Sequence, residues 1–167
     1  AYAGITDKLL EQKKTGHPGL FALFSNSMKE DSWMRSLTDL KEAIFDINKA
    51  LFANDEVGLK KANLFIGERI DDARNCLKDL QRLCKHGHFA LESHIEVVKE
   101  MLASIGEAHS AWNMAQLLKA EGINARFFDL TAWKCEQHVS LDERIKREFE
   151  NVDLSKVLPI CTGYAHC

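Results

Sequence analysis

Two stretches of apolar residues at three- and four-residue steps constrain this chain more than any other feature. Trp33, Leu37, Leu40, Ile44, Ile47 and Leu51 make the first, and Ile66, Ile70, Ala73, Leu77, Leu80 and Cys84 make the second. Such steps place each set on one face of a helix with about 3.6 residues per turn. The opposite face of the second helix carries Glu68, Asp71, Asp72, Lys78 and Arg82. Asp31 or Ser32 is the expected N-cap of the first helix, accepting from its free first-turn N–H groups. Ala53-Asn54-Asp55 breaks the pattern, and Lys85-His86-Gly87-His88 ends the second helix. The two helices are expected to fold back as an antiparallel hairpin with their stripes together. Only 2 Pro and 9 Gly occur in 167 residues, so few chain breakers oppose long helices.

The flanking segments are shorter. Ala1-Tyr2-Ala3-Gly4-Ile5-Thr6 reads as a small-residue loop or a helix entry with Thr6 as N-cap. A short helix is expected over 7–14 with Leu9 and Leu10 inward, stopped by Thr15-Gly16-His17-Pro18-Gly19. Phe21, Phe24 and Trp33 are expected to cap the helical core. A third helix is expected over 91–103, interrupted by Gly106, and a fourth over 107–120, closed by Gly122 as a C-terminal glycine. The character then changes. Residues 123–130 are β-branched and aromatic-rich and read as a strand. Ser140-Leu141-Asp142-Glu143 fits a capping box for a helix over 141–150, and Val157-Leu158-Pro159-Ile160-Cys161 reads as a second strand. Helix, strand, helix, strand favours a parallel sheet. Three sections are therefore expected: an N-terminal loop and helix over 1–30, a helical section over 31–103, and an α/β section over 104–167.

Length and charge exclude several function classes. The 167 residues suffice for one ordinary core and are short for two. Lys and Arg number 22 against 25 Asp and Glu, a net charge of −3, so the basic excess of a nucleic-acid binder is missing. No apolar run of membrane-spanning length occurs, so no membrane partner is expected. Five Cys without framework spacing, and no leader-like start, fit reduced thiols in the cytoplasm. The start at Ala1 without Met, and the end at Ala165-His166-Cys167 just after a strand, lead us to expect a piece of a longer chain.

Chemistry-bearing patterns are few. No phosphate-cradling glycine loop, nucleophile elbow or His-Glu-x-x-His appears. Cys84-x-His86-x-His88 with His94 places soft ligands close together, but the spacing fits no zinc signature and Cys84 falls on an apolar stripe, so no metal is assigned. Gly106-Glu107-Ala108-His109-Ser110 has two readings. Glu107 is either a first-turn carboxylate favoured by the helix dipole, or a carboxylate held to bind a substrate ammonium or to orient an Arg. Thr162-Gly163-Tyr164 is a plain strand end, yet it falls where open α/β sheets bind ligands, beyond the carboxyl ends of strands.

Four segments in order resemble one family. They are Ala1-Tyr2-Ala3-Gly4-Ile5-Thr6-Asp7-Lys8-Leu9-Leu10, Ile105-Gly106-Glu107-Ala108-His109-Ser110, Ala125-Arg126-Phe127-Phe128-Asp129, and Leu158-Pro159-Ile160-Cys161-Thr162-Gly163-Tyr164. Together they resemble the aspartokinase catalytic domain, and the helical section resembles the branch with a long helical insert found among ectoine-making bacteria. The resemblance implies the amino-acid-kinase fold, an αβα sandwich, of which this fragment would be a mostly α-helical part with a few parallel strands. It implies transfer of the ATP γ-phosphoryl group to the β-carboxylate of L-aspartate, with ATP and Mg²⁺ as the parent's cofactors. Thr6, Glu107 and Tyr164 match the family's aspartate-pocket positions, Tyr164 standing where the family usually has Phe. The family's Lys-Phe-Gly-Gly-Thr-Ser and Gly-Arg-Gly-Gly-Ser-Asp segments are not among these residues. No catalytic residue and no cofactor is therefore expected in the fragment, which is expected to be inactive alone. Exposed sheet edges point to a possible homo-oligomer. The alternative is a non-catalytic helical interaction or assembly module acting through an exposed helix face in 31–103.

Overall fold

The computed structural model describes residues 2, 4–10, 16–26, 32–85, 89–91, 94–134 and 139–163. Among these residues, six helices and two strands follow in order: α1 (Ile5–Leu9), α2 (Leu20–Asn26), α3 (Ser32–Leu51), α4 (Glu56–Lys85), α5 (Ile95–Ala120), β1 (Ala125–Phe128), α6 (Leu141–Phe149) and β2 (Leu158–Cys161). The chain divides into two compact units, Tyr2–Gly106 and Glu107–Cys167 with Ala1.

In the first unit α3 and α4 form the expected hairpin. Lys41 pairs with Asp71, and the Asn48 side chain donates to Asn63 Oδ1 at 2.9 Å. Partner numbers that rise on one helix and fall on the other make the pair antiparallel. Trp33, Leu37, Leu40 and Ile44 face Ile66, Ile70, Ala73 and Leu77 in the buried seam. The Asp55 carboxylate accepts from Gly58 N–H at 2.8 Å and caps α4, which starts ten residues ahead of the apolar stripe. The stripes turn as they run. Gln81 is buried while Leu80 and Cys84 are half-buried, and Asn48 is buried while Ile47 is half-buried. A straight helix drifts against a seven-residue repeat, which explains the turn.

Helix α2 falls where sequence suggested only a turn and an aromatic cap. Phe24 packs edge-on against Trp33 with ring centroids 5.6 Å apart; both are core residues, and Phe21 is half-buried. Helix α1 starts two residues earlier than expected, with Gly4 at φ 82° as its N-cap. Thr6 is thus a helical residue and not the cap. The part of that expected helix over 11–14, the turn residue Thr15, and the capping candidate Asp31 lie outside the described residues. Gly19 meets α1 closely: a Cβ there would stand 2.6 Å from Leu10 C and O.

One expectation fails outright. Gly106 does not interrupt a helix, because α5 runs unbroken for 26 residues. A mid-helix glycine costs about 1 kcal/mol, and here Leu102, Ile105 and Ala108 are all fully buried around it, so tertiary burial overrides propensity.

In the second unit α5 ends as expected. Gly122 adopts φ 80°, its N–H donates to Lys119 O, and Ile123 N–H donates to Leu118 O, a Schellman closure. Strands β1 and β2 pair in parallel, with Ala125 opposite Leu158 and Phe128 opposite Cys161. Between them α6 is capped by Ser140, whose Oγ accepts from Glu143 N–H at 3.3 Å, as the capping box requires. The Phe149 ring stacks on Phe128 at 4.4 Å and ties α6 to the sheet.

A carboxylate at the exit of the parallel strands

The parallel register brings the carboxyl ends of β1 and β2 side by side, where α/β sheets bind ligands. Pairing continues one step beyond the strands. Thr162 N–H donates to Phe128 O at 3.3 Å, and Thr162 Oγ accepts from Leu130 N–H at 3.0 Å. The Asp129 carboxylate accepts from both the N–H and the hydroxyl of Thr131, at 3.0 and 2.6 Å, turning the chain away from β1. Arg144 reaches back from α6 and donates to Leu130 O at 2.7 Å and Val139 O at 3.2 Å. Just past this turn Ala132 and Lys134 hold left-handed backbone, φ 59° and 60°, a conformation that costs energy without glycine.

Glu107 enters this place from α5. It is the thirteenth residue of the helix, so the first-turn capping reading has no basis. Its Oε2 lies 2.9 Å from where a Cβ on Gly163 would stand. The carboxylate therefore sits against the backbone just after β2. Two residues on, His109 is buried, and the Asn113 amide N–H donates to its Nε2 at 3.0 Å. Burial away from water pushes the His109 imidazole down from 6.5 to about 4, so it is neutral near pH 7.

The structure thus brings Glu107 together with the Thr162-Gly163 segment. Thr6 belongs to the other unit, exposed on α1. Tyr164 lies outside the described residues, as do His86 and His88 of the metal candidate. Among the described residues no group of three or more His, Cys, Asp or Glu could hold a metal ion. No helix among the described residues is long and apolar enough to cross a membrane. Sequence reasoning missed the supports of the site. Arg144 reads only as one charge on an amphipathic helix, and Asn113 as one polar residue in another. The Asp129-x-Thr131 spacing was the one available signal, as a local turn pattern.

Over all 167 of its residues the chain is 46% identical to "Aspartate kinase Ask_Ect" of Stutzerimonas stutzeri (strain A1501). The chain is similar to an aspartate kinase from end to end. It spans 35% of that relative's length. No protein-family model matches the chain, and no solved structure does. The likeness to Ask_Ect covers the helical hairpin as well as the strand exits.

Proposed function

We propose that this chain is part of an aspartokinase and supplies one wall of its aspartate pocket. The whole enzyme would transfer the ATP γ-phosphoryl group to the β-carboxylate of L-aspartate in the cytoplasm, with Mg²⁺, on an αβα sandwich. The end-to-end likeness to Ask_Ect supports this reading, and the Glu107 carboxylate at the strand exits carries it. A fixed carboxylate at that place suits the α-ammonium of a small amino acid. On the family resemblance, Thr6 and Tyr164 are proposed as further aspartate-contacting residues of the whole enzyme. The role proposed for this chain is to hold the acceptor. Phosphoryl transfer rests on positioning and on neutralising charge at the phosphoryl oxygens. These 167 residues contain no lysine-bearing Lys-Phe-Gly-Gly-Thr-Ser segment for that work, so they bind but do not phosphorylate.

Two measurements test the proposal. Titrating the 167-residue chain with L-aspartate should give weak saturable binding that Glu107→Gln weakens by roughly tenfold or more, the size of a lost charge-assisted hydrogen bond. Equal binding by both forms would remove Glu107 from the pocket. Incubating the chain with ATP, Mg²⁺ and aspartate, then trapping acyl phosphate with hydroxylamine, should give background only.

A further inference from the structure

Glycines serve two different needs in this fold, and the difference singles out Gly163. Gly4, Gly16 and Gly122 have φ of 82°, 70° and 80°, and no described heavy atom, chain neighbours aside, stands within 4 Å of where their Cβ would be. These glycines supply backbone freedom. Gly163 is not among the positive-φ residues, so a side chain there meets no backbone strain. It would meet the Glu107 carboxylate, with Oε2 at 2.9 Å and Cδ at 3.8 Å, and no other described heavy atom within 4 Å, chain neighbours aside.

We infer that Gly163 is a positioning residue, whose missing side chain leaves the space in which the Glu107 carboxylate stands at the exit of β2. The backbone at this point is held from the residue before. Thr162 is buried, with its N–H on Phe128 O and its Oγ on Leu130 N–H, so the strand exit does not retreat. The Glu107 carboxylate is the far end of a side chain with three rotatable bonds, so it yields first. An added methyl at 163 therefore moves the carboxylate by roughly half an ångström or more, to reach ordinary van der Waals separation. A shift of this order is cheap for folding and costly for a group that must meet a ligand at fixed geometry. Gly19 is the opposite case, since a Cβ there meets backbone atoms of Leu10 that have no such freedom.

The ligand side of this inference rests on the reading of Glu107 as the ammonium holder; the geometric side does not. The test therefore has two arms, both on the 167-residue chain. In the first, glutamate labelled at Cδ is incorporated, and the Glu107 resonance is assigned by its loss in Glu107→Ala. Gly163→Ala should move that resonance while the melting temperature stays within a few degrees of the parent. An unmoved resonance overturns the inference. So does a collapse of folding, because it would mean that something other than a mobile carboxylate fills the space. In the second arm, L-aspartate is titrated into the parent, Gly163→Ala, Glu107→Ala and the double variant. Gly163→Ala should weaken binding by about fivefold or more in the parent and add nothing once Glu107 is alanine. Equal losses in both backgrounds overturn the inference. If the parent binds no aspartate, the pocket reading fails, and the resonance alone decides on Gly163.

Discussion

His109 shows how one buried side chain makes this chain sensitive to acid. Desolvation lowers its imidazole from 6.5 to about 4, so the folded state holds the neutral ring where the unfolded chain takes up a proton. Above pH 6.5 neither state binds the proton, and stability does not depend on this group. Between pH 6.5 and 4 the unfolded state binds more protons, so stability falls as pH falls; below about 4 both are charged and the loss is complete. At pH 5 the expected loss relative to pH 7.5 is about 2 kcal/mol. Urea unfolding midpoints at the two pH values should show it, and His109→Gln should remove most of the difference. An unchanged difference in that variant would assign the acid sensitivity to other groups. Nothing in the sequence marked His109 apart from the other 6 histidines, because its burial depends on what packs around α5.

Elements show where a local pattern was enough and where it was not. The capping box at Ser140, the glycine stop at Gly122 and the two apolar stripes were legible because each is a short-range arrangement with a fixed period. Helix α2 and the unbroken α5 were not. Leu20–Asn26 has no charged residue in its first or last turn to mark its ends, and Gly106 is a stop signal that burial overrides. The seam between α3 and α4 adds a device that no stripe announces. Asn48 is fully buried and bonded to Asn63, a polar pair that fits one register of the hairpin only. Asn48→Ala should cost about 1–3 kcal/mol, the range for a buried hydrogen bond broken on one side. Lys41→Met should cost under about 1 kcal/mol, because the Asp71 partner is 47% exposed and solvent screens the pair. Gly19→Ala should be as harmful as the asparagine change, about 1–3 kcal/mol, because its Cβ would press on the backbone that ends α1. Denaturant unfolding of the three variants ranks them, and a Lys41 variant worse than the Asn48 variant would overturn the register argument.

At the scale of the whole chain, the part of the candidate site that was legible in sequence is the part carried by contiguous motifs. Glu107 and Thr162-Gly163 were singled out from two separate segments; the parallel register sets Thr162 beside the exit of β1, and the Glu107 carboxylate stands against Gly163. Their supports come from residues 14 to 32 positions away in sequence, such as Arg144 on Leu130 and Thr162 on Leu130, which no local pattern encodes. The same register leaves a consequence for association. Parallel sheets are stable when both faces and the flanking edges are covered, yet β1 and β2 are each other's only partner among the described residues. Along β2 no residue is buried, and Leu158 is 46% exposed. Ile145 on α6 and Leu154 just before β2 are exposed apolar residues in the same unit. An uncovered strand with apolar side chains is a template for pairing with another copy. The isolated chain should therefore self-associate as its concentration rises, measured by sedimentation velocity. Leu158→Lys puts a charge at the start of β2 on a side chain already about half exposed, and should shift the chain toward monomer with little change in its melting temperature. Association that persists unchanged in this variant would move the contact away from β2 to another exposed surface, such as the α4 face bearing Val57 and Leu64.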